Sequence, residues 1–344
     1  MTLEPAAQLT VSPDASRAAA TTTRADAART AASAAPARVE IILNASAGSG
    51  GQEAARATLA EIFAADGRMD AHVSLAESGE KIVELARAAA ADDGVQIVVA
   101  GGGDGTVNAV ASELVGTEKT LGVLPLGTLN HFAKDLNIPL DLEGAARNLL
   151  EGEAVKVDVG EVNGRVFINN SSLGLYPSIV RHRERQQERL GRGKWFAAFW
   201  ATLDVFRRYP LFSVRLSTDG QEFRRRTPFV FIGNNEYQMD TFNLGARSCL
   251  DAGHLSLHLT RDIGRWGLVR LAASAIIGRL REHKDFDALC TKEVWIETRR
   301  RRLRVATDGE VTVMRSPLHY AVRPGALRVI VPKKVDGESS MVNR

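Results

Sequence analysis

Three short stretches hold residues whose types and spacing suit anion chemistry. "VVAGGGDGTVNAV", residues 98–110, reads as a strand, a glycine turn and the start of a helix. "IILNASAGSGG", residues 41–51, puts Asn44 ahead of a Gly/Ser loop, and "LPLGTLNHFAKDL", residues 124–136, sets Gly127, Thr128 and Asn130 at another helix start. Backbone N–H groups at helix N-termini attract anions without a basic side chain. No P-loop lysine follows any of the three loops. The dinucleotide fingerprint G-x-G-x-x-G fails, since the third position is Thr106 counted from Gly101 and Glu53 counted from Gly48. G-x-S-x-G is absent too. Three such loops converging on one crevice suit a polyphosphate. Asp104 then suits Mg²⁺, which prefers carboxylate and water oxygens. The plainer alternative is that Asp104 caps its helix and the glycines allow close packing.

The elements around these loops must bring them together. Short apolar runs (Val39 to Leu43, "VQIVVA", and a run ending at Leu124) alternate with helical spacing such as Ala54, Leu59, Ile62 and Phe63. That alternation predicts a parallel sheet covered on both faces, with ligands at the carboxyl ends of its strands. After about Val155 the pattern becomes alternating strands punctuated by Asn-Gly and Asp-Gly pairs, the pattern of antiparallel hairpins. The fold expected is an α/β domain over 38–155 and a β-rich domain over 156–319, a sandwich interrupted by a helical insert at about 181–208. A segment at about 320–334 has the option of returning to the first domain. Residues 1–37, rich in Ala, Thr and Ser, read as a disordered leader, with a transit or regulatory tail as the alternative, and 335–344 as a flexible tail.

Composition narrows the function classes. A chain of 344 residues with 44% apolar and 25% charged residues is long enough for two globular domains. A formal net charge of +3 is too mild to argue for nucleic acid as a partner. Cys249 and Cys290 lie far apart without metal-ligand spacing and read as small core residues of a reducing compartment. No apolar run approaches the roughly 20 residues needed to span a bilayer, so the expectation is a soluble chain or one resting on a membrane surface.

"GGGDGTVNAV" followed by "LPLGTLNHFAKDLNIP" resembles the diacylglycerol kinase catalytic-domain family, which includes sphingosine kinases and bacterial lipid kinase relatives. "VKVDVGEVN", "FINNSSLGLY", "LDAGHLSLHL" and "VATDGEV" match later landmarks of that family in order. The resemblance implies a phosphofructokinase-like α/β domain followed by the sandwich. It also implies an ATP site lined by Asn44, Gly103, Asp104, Gly105, Thr106, Gly127, Thr128 and Asn130. Asp104 and Asp158 would organise Mg²⁺, while Asp308 would be the general base with Glu310 beside it. Seen alone, "TDGE" is equally an Asp-Gly hairpin turn. Two positions depart from the family pattern: His131 stands where an acidic residue is usual, and Ala252 beside Asp251 weakens a structural Mg²⁺ site.

The insert places "RHRERQQERLGRGK" directly before "WFAAFWATLDVF". Arg181, Arg183, Arg185 and Arg189 next to Trp195 suit anionic lipid headgroups; a core helix with a solvated basic flank, or a homodimer contact, is the alternative. "TRRRRLR", residues 298–304, reads as a solvated strand edge. The function expected is an ATP- and Mg²⁺-dependent lipid kinase, peripheral to the cytoplasmic face of the inner membrane and acting on a hydroxyl such as that of diacylglycerol. The alternatives are a soluble-substrate kinase of NAD kinase type and a nucleotide-binding regulator without catalysis.

Overall fold

The computed structural model describes residues 36–46, 52–174, 211–218, 221–236, 250–260 and 286–333. Leader residues 1–35, the helical insert at 181–208 and the tail at 335–344 lie outside the described residues.

The first domain is built from β1 (Ala37–Asn44), α1 (Gln52–Asp66), β2 (Met69–Ala76), α2 (Gly79–Ala91), β3 (Val95–Gly102), α3 (Asp104–Leu114) and β4 (Thr120–Pro125), followed by α4 (His131–Asp135) and α5 (Leu142–Glu151). Ile41, Ile42 and Leu43 are consecutive and each is 0% exposed. Neighbouring side chains on a strand point to opposite faces, so both faces of β1 are covered. Each of the three contributes roughly 1.5–3 kcal/mol relative to exposure. The strands run parallel in the order β2-β1-β3-β4. The chain steps from β1 to one side and then crosses back, so the strand order reverses between β1 and β3. Loops leaving the two strands there diverge and open a crevice. The β2–α2 unit was not singled out in the sequence, because β2 is an edge strand with only Ala76 fully buried. Its helix start is nonetheless well marked: the Ser78 side chain accepts the Lys81 N–H, and Ile82, Ala86 and Ala89 form the buried stripe.

The second half contains β5 (Glu153–Val162), β6 (Arg165–Phe167), β7 (Asn170–Gly174), β8 (Phe212–Thr218), β9 (Gln221–Thr227), β10 (Phe229–Asn234), β11 (Leu255–Thr260), β12 (Phe286–Thr291), β13 (Glu293–Thr298), β14 (Arg302–Thr307), β15 (Glu310–Arg315) and β16 (Leu318–Val331). β16 joins the two halves. Its start pairs antiparallel with β13, its end pairs parallel with β4, and β5 runs antiparallel along it. The result is one ten-stranded sheet that is parallel at one end and antiparallel at the other. A separate six-stranded antiparallel sheet, β12-β11-β10-β7-β14-β15, packs on the antiparallel end to make the sandwich. Leu173, Ile232, Leu257, Ile296, Val305 and Tyr320 meet between the layers. Tyr320 donates or accepts one hydrogen bond with Ser171 at 3.0 Å, and burial pushes its phenol well above the usual range.

The expected α/β plus β-sandwich class is the observed one. Cys290 is a correction: it is exposed, not a core residue. It pairs in register with Ser256, whose neighbours Leu255 and Leu257 point into the sandwich; strand parity therefore turns Cys290 outward.

Candidate functional site

The glycine loops meet backbone to backbone. A methyl group on Gly127 would fall onto the Gly103 Cα and within 2.8 Å of Asn130 Oδ1. One on Gly102 would collide with the Thr106 side chain. Gly103 is the N-cap of α3 and offers no side chain to the first N–H groups of that helix, which therefore face the crevice uncapped by side chains. Asn44, at the end of β1, donates its Nδ2 to Thr106 Oγ1 at 3.0 Å and accepts the Ser46 N–H at 2.9 Å. That bond ties the first loop to the second.

The remaining polar groups of the cradle work largely on its shape. Asp104 Oδ1 accepts the Phe132 N–H at 3.2 Å, so this carboxylate links α3 to the first turn of α4. Asn130 sits in the left-handed region with φ 50°. Its Nδ2 donates to the carbonyls of Pro125 and Gly127, and its Oδ1 accepts the Gly127 N–H. Thr128 is exposed at the loop tip, and His131 is exposed at the start of α4.

A cleft of about 1400 Å³ opens over these loops, lined by Asn44, Gly103, Gly105, Thr106, Gly127 and Thr128 from the cradle and by the length of α2, from Gly79 to Ala91, on one side. Glu310 reaches into the same lining from the sandwich. Arg87 is the basic group among the described lining residues. Its guanidinium is taken by Glu113 through two contacts of 3.0 and 3.1 Å, which push its pKa further up. Ser78, Glu80, Glu84 and Arg87 were missed in the sequence reading. The signal was there in "AESGEKIVELA", a fourth strand-loop-helix unit with the same phase as the other three.

Asp308 and Gly309 form the two-residue turn between β14 and β15, both with positive φ (48° and 87°). The Asp308 carboxylate is folded onto the loop between β6 and β7. Oδ2 accepts the Ile168 N–H at 2.7 Å, and Oδ1 accepts those of Asn169 and Asn170 at 2.9 Å each. Next to it, Arg165 donates Nη2 to Glu310 Oε2 at 2.7 Å and Nε to Thr307 Oγ1 at 3.0 Å. So Asp308 anchors the turn, while Glu310 extends from it, 69% exposed at its side chain.

The other acidic residues singled out from the sequence lie elsewhere. Asp158 is 3% exposed; its Oδ2 accepts the Gly253 N–H at 2.6 Å and its Oδ1 the Gly325 N–H at 2.8 Å. Those bonds fasten the loop before β11 to the break in β16, and Asp158 is not among the cleft-lining residues. Asp251 is exposed in that same loop. Among the described residues no group of three or more His, Cys, Asp or Glu gathers as a metal cage. Arg181, Arg183, Arg185, Arg189 and Trp195 lie outside the described residues.

Fold and site together define a two-domain protein in which a glycine-lined cradle on a parallel sheet faces a carboxylate turn supplied by a β-sandwich. Two family models match this organisation in order: "Diacylglycerol kinase catalytic domain" over residues 38–162 and "YegS C-terminal NAD kinase beta sandwich-like domain" over residues 177–331. Residues 38–162 thus resemble the diacylglycerol kinase catalytic-domain family, and the sandwich that follows resembles the second of these families. Curated diacylglycerol kinases from Staphylococcus aureus, strains JH9 and Newman, are 28% identical over 181 residues. That match covers 52% of this chain and 56% of each relative, so the chain spans a little over half the length of the curated relatives it matches. Two Bacillus anthracis str. Sterne crystal structures share the architecture. One, provisionally assigned as a diacylglycerol kinase, has TM-score 0.67 at 25% identity, covering 86% of this chain and 97% of that one. The other, described as a diacylglycerol kinase, has TM-score 0.63 at 22% identity, covering 86% and 96%.

Proposed function

We propose that the chain is a lipid kinase that uses ATP and Mg²⁺ to phosphorylate a lipid hydroxyl such as that of diacylglycerol, at the cytoplasmic face of a membrane. One juxtaposition carries the reading: glycine loops that exclude side chains face a carboxylate-bearing turn from the other domain across a single cleft. Phosphoryl transfer to an alcohol asks the protein for positioning, charge stabilisation and a proton acceptor. The cradle fits a polyphosphate, because glycine leaves the α3 N–H groups open and lets two backbones approach one anion.

Mg²⁺ is bound through one or two carboxylates plus substrate phosphates and keeps several waters. Asp104, between the cleft-lining Gly103 and Gly105 though not itself in the lining, would hold it; Asp158, committed to two backbone amides, would act on the metal only from a distance. When bound, Mg²⁺ and ATP supply the transferable phosphoryl group and the positive charge that the paired Arg87 withholds. The chain's own residues do the rest. Asn44 and Thr106 keep the first two loops in register, and Gly103, Gly105, Gly127 and Thr128 would hold the phosphates. The hydroxyl proton passes to the Asp308–Glu310 turn, with Glu310 as the carboxylate that reaches the cleft. Asp308, to which the family resemblance assigns the base, fixes that turn through its three N–H partners.

The second match, described as NAD kinase beta sandwich-like, supports a rival reading with a soluble acceptor. Transfer of labelled phosphate from ATP to a panel of lipids, with NAD⁺ as a further acceptor, separates the two. Label in diacylglycerol and none in NAD⁺ is the expected result. Label in NAD⁺ alone would replace the acceptor, and nucleotide binding without any transfer would make the chain a regulator.

A further inference from the structure

The sandwich concentrates positive charge in a place that phosphoryl transfer does not use. Arg299, Arg300 and Arg301 form the turn between β13 and β14, Arg302 and Arg304 follow on β14, and Arg315 ends β15. All six are exposed. Leu303 and Val305 face the sandwich core, so Arg302 and Arg304 face outward. Register puts Arg315 directly opposite Arg302 and Val313 opposite Arg304, on that same outer face. Val313 is 63% exposed. The Ser316 N–H donates to the Arg301 carbonyl at 3.1 Å, which holds the arginine turn against the end of the hairpin where Arg302 and Arg315 meet.

Folding alone does not explain this arrangement. Like charges directly opposite each other across a ladder are destabilising, and here nothing relieves them. Among the described residues, none of the six guanidinium groups has an ion pair or a hydrogen bond. Several other surface arginines are matched: Arg87 with Glu113, Arg165 with Glu310, Arg323 with Glu161. β15 is the edge of its sheet, and charge at an edge deters strand pairing. That role needs one or two charges on β15; it explains neither the three turn arginines nor the exposed Val313. Clustered guanidinium groups around an apolar side chain complement a surface of anionic headgroups over hydrocarbon.

We propose that the outer face of the β14–β15 hairpin, together with the Arg299–Arg301 turn, is a docking surface for a bilayer rich in anionic lipid. The choice of a bilayer over another polyanion rests on the lipid-kinase reading above. The Asp308–Gly309 turn closes the other end of this hairpin, about five residues and roughly 17 Å from the Arg302–Arg315 pair. Docking along the hairpin therefore holds the carboxylate turn at a set distance from the headgroups.

The test compares the full chain with the variant R302Q/R304Q/R315Q in sedimentation with vesicles of phosphatidylglycerol and phosphatidylcholine, or of phosphatidylcholine alone. At roughly fivefold per arginine, partition onto the anionic vesicles falls about a hundredfold, and partition onto neutral vesicles does not change. The wild-type chain also loses anionic vesicles steeply as salt rises. The thermal midpoint of the variant stays level or rises, because a repulsive pair is gone. R299Q/R300Q/R301Q, which leaves both strands untouched, gives a second loss of similar size. Unchanged partition in both variants overturns the proposal, as does a wild-type chain that prefers duplex DNA to anionic vesicles in direct competition. Transfer to a short-chain diacylglycerol in neutral detergent micelles is measured alongside and is retained by both variants. Absence of that transfer in the wild type defeats the kinase reading, while the vesicle result still decides the docking surface.

Discussion

Gly127 has no room for a methyl group, and its neighbour across the loops nearly does. The Cβ of an alanine at 127 would overlap the Gly103 backbone, which cannot rotate away, whereas a Cβ at 103 would sit 3.4 Å from the Gly127 Cα. The two substitutions should separate sharply. Gly127→Ala should prise the loops apart and lower kcat/KM for ATP by on the order of a hundredfold, since small displacements of positioning groups cost that much. Gly103→Ala should cost under tenfold. Steady-state kinetics with ATP varied checks the pair, and equal effects would mean that the cradle does not depend on this approach. Asn130 teaches a related lesson at the same scale. An amide at a helix start suits a ligand as well as it suits a loop, and here its donors and acceptor are bound to Pro125 and Gly127.

The β14–β15 hairpin shows how one element divides its work between two carboxylates. "TDGE" was legible both as a turn and as a candidate acid-base pair, and the structure contains the turn, with Asp308 and Gly309 in left-handed backbone. What the string of letters could not show is that Asp308 bends back to three N–H groups some 140 residues earlier in the chain. Asp308→Ala would strand those donors at about 1–3 kcal/mol each when buried, so a loss of stability on the order of 3 kcal/mol is expected from denaturant unfolding. Glu310→Gln removes an exposed carboxylate held by Arg165. It should leave the unfolding midpoint where it was and lower kcat by at least a hundredfold, the usual scale for loss of a proton acceptor. Full activity in Glu310→Gln would return the base to Asp308. Asp158 is placed in the same way as Asp308: each of its carboxylate oxygens accepts a backbone N–H from a distant loop.

At the scale of the whole molecule, β16 makes the two halves one object. It pairs with β4 of the first domain, β13 of the second and β5 between them, so neither core can lose it without exposing a sheet edge. The two halves are therefore expected to unfold together. Far-ultraviolet circular dichroism and hydrogen exchange in both cores should report one denaturant midpoint, and two separate midpoints would show that the shared strand does not couple them. A chain ending before Leu318 should fail to fold either half. The turn that brings Glu310 to the cleft belongs to the separate six-stranded sheet, so its place opposite the cradle depends on the packing of that sheet against the shared one.

The sequence by itself determined the alternation of elements, the glycine loops at strand ends and the Asn-Gly and Asp-Gly turns, since these follow from local periodicity and backbone sterics that act within a few residues. Its ordered landmarks also carried the family resemblance. The tertiary structure alone decided which carboxylates face the cleft and which are tied up by distant amides, that α2 forms a cleft wall, that Cys290 points outward, and that two domains share one sheet. Each of those outcomes depends on strand register and on contacts between residues far apart in the chain. A strand shifted by one residue would send every side chain to the opposite face while leaving the local pattern unchanged.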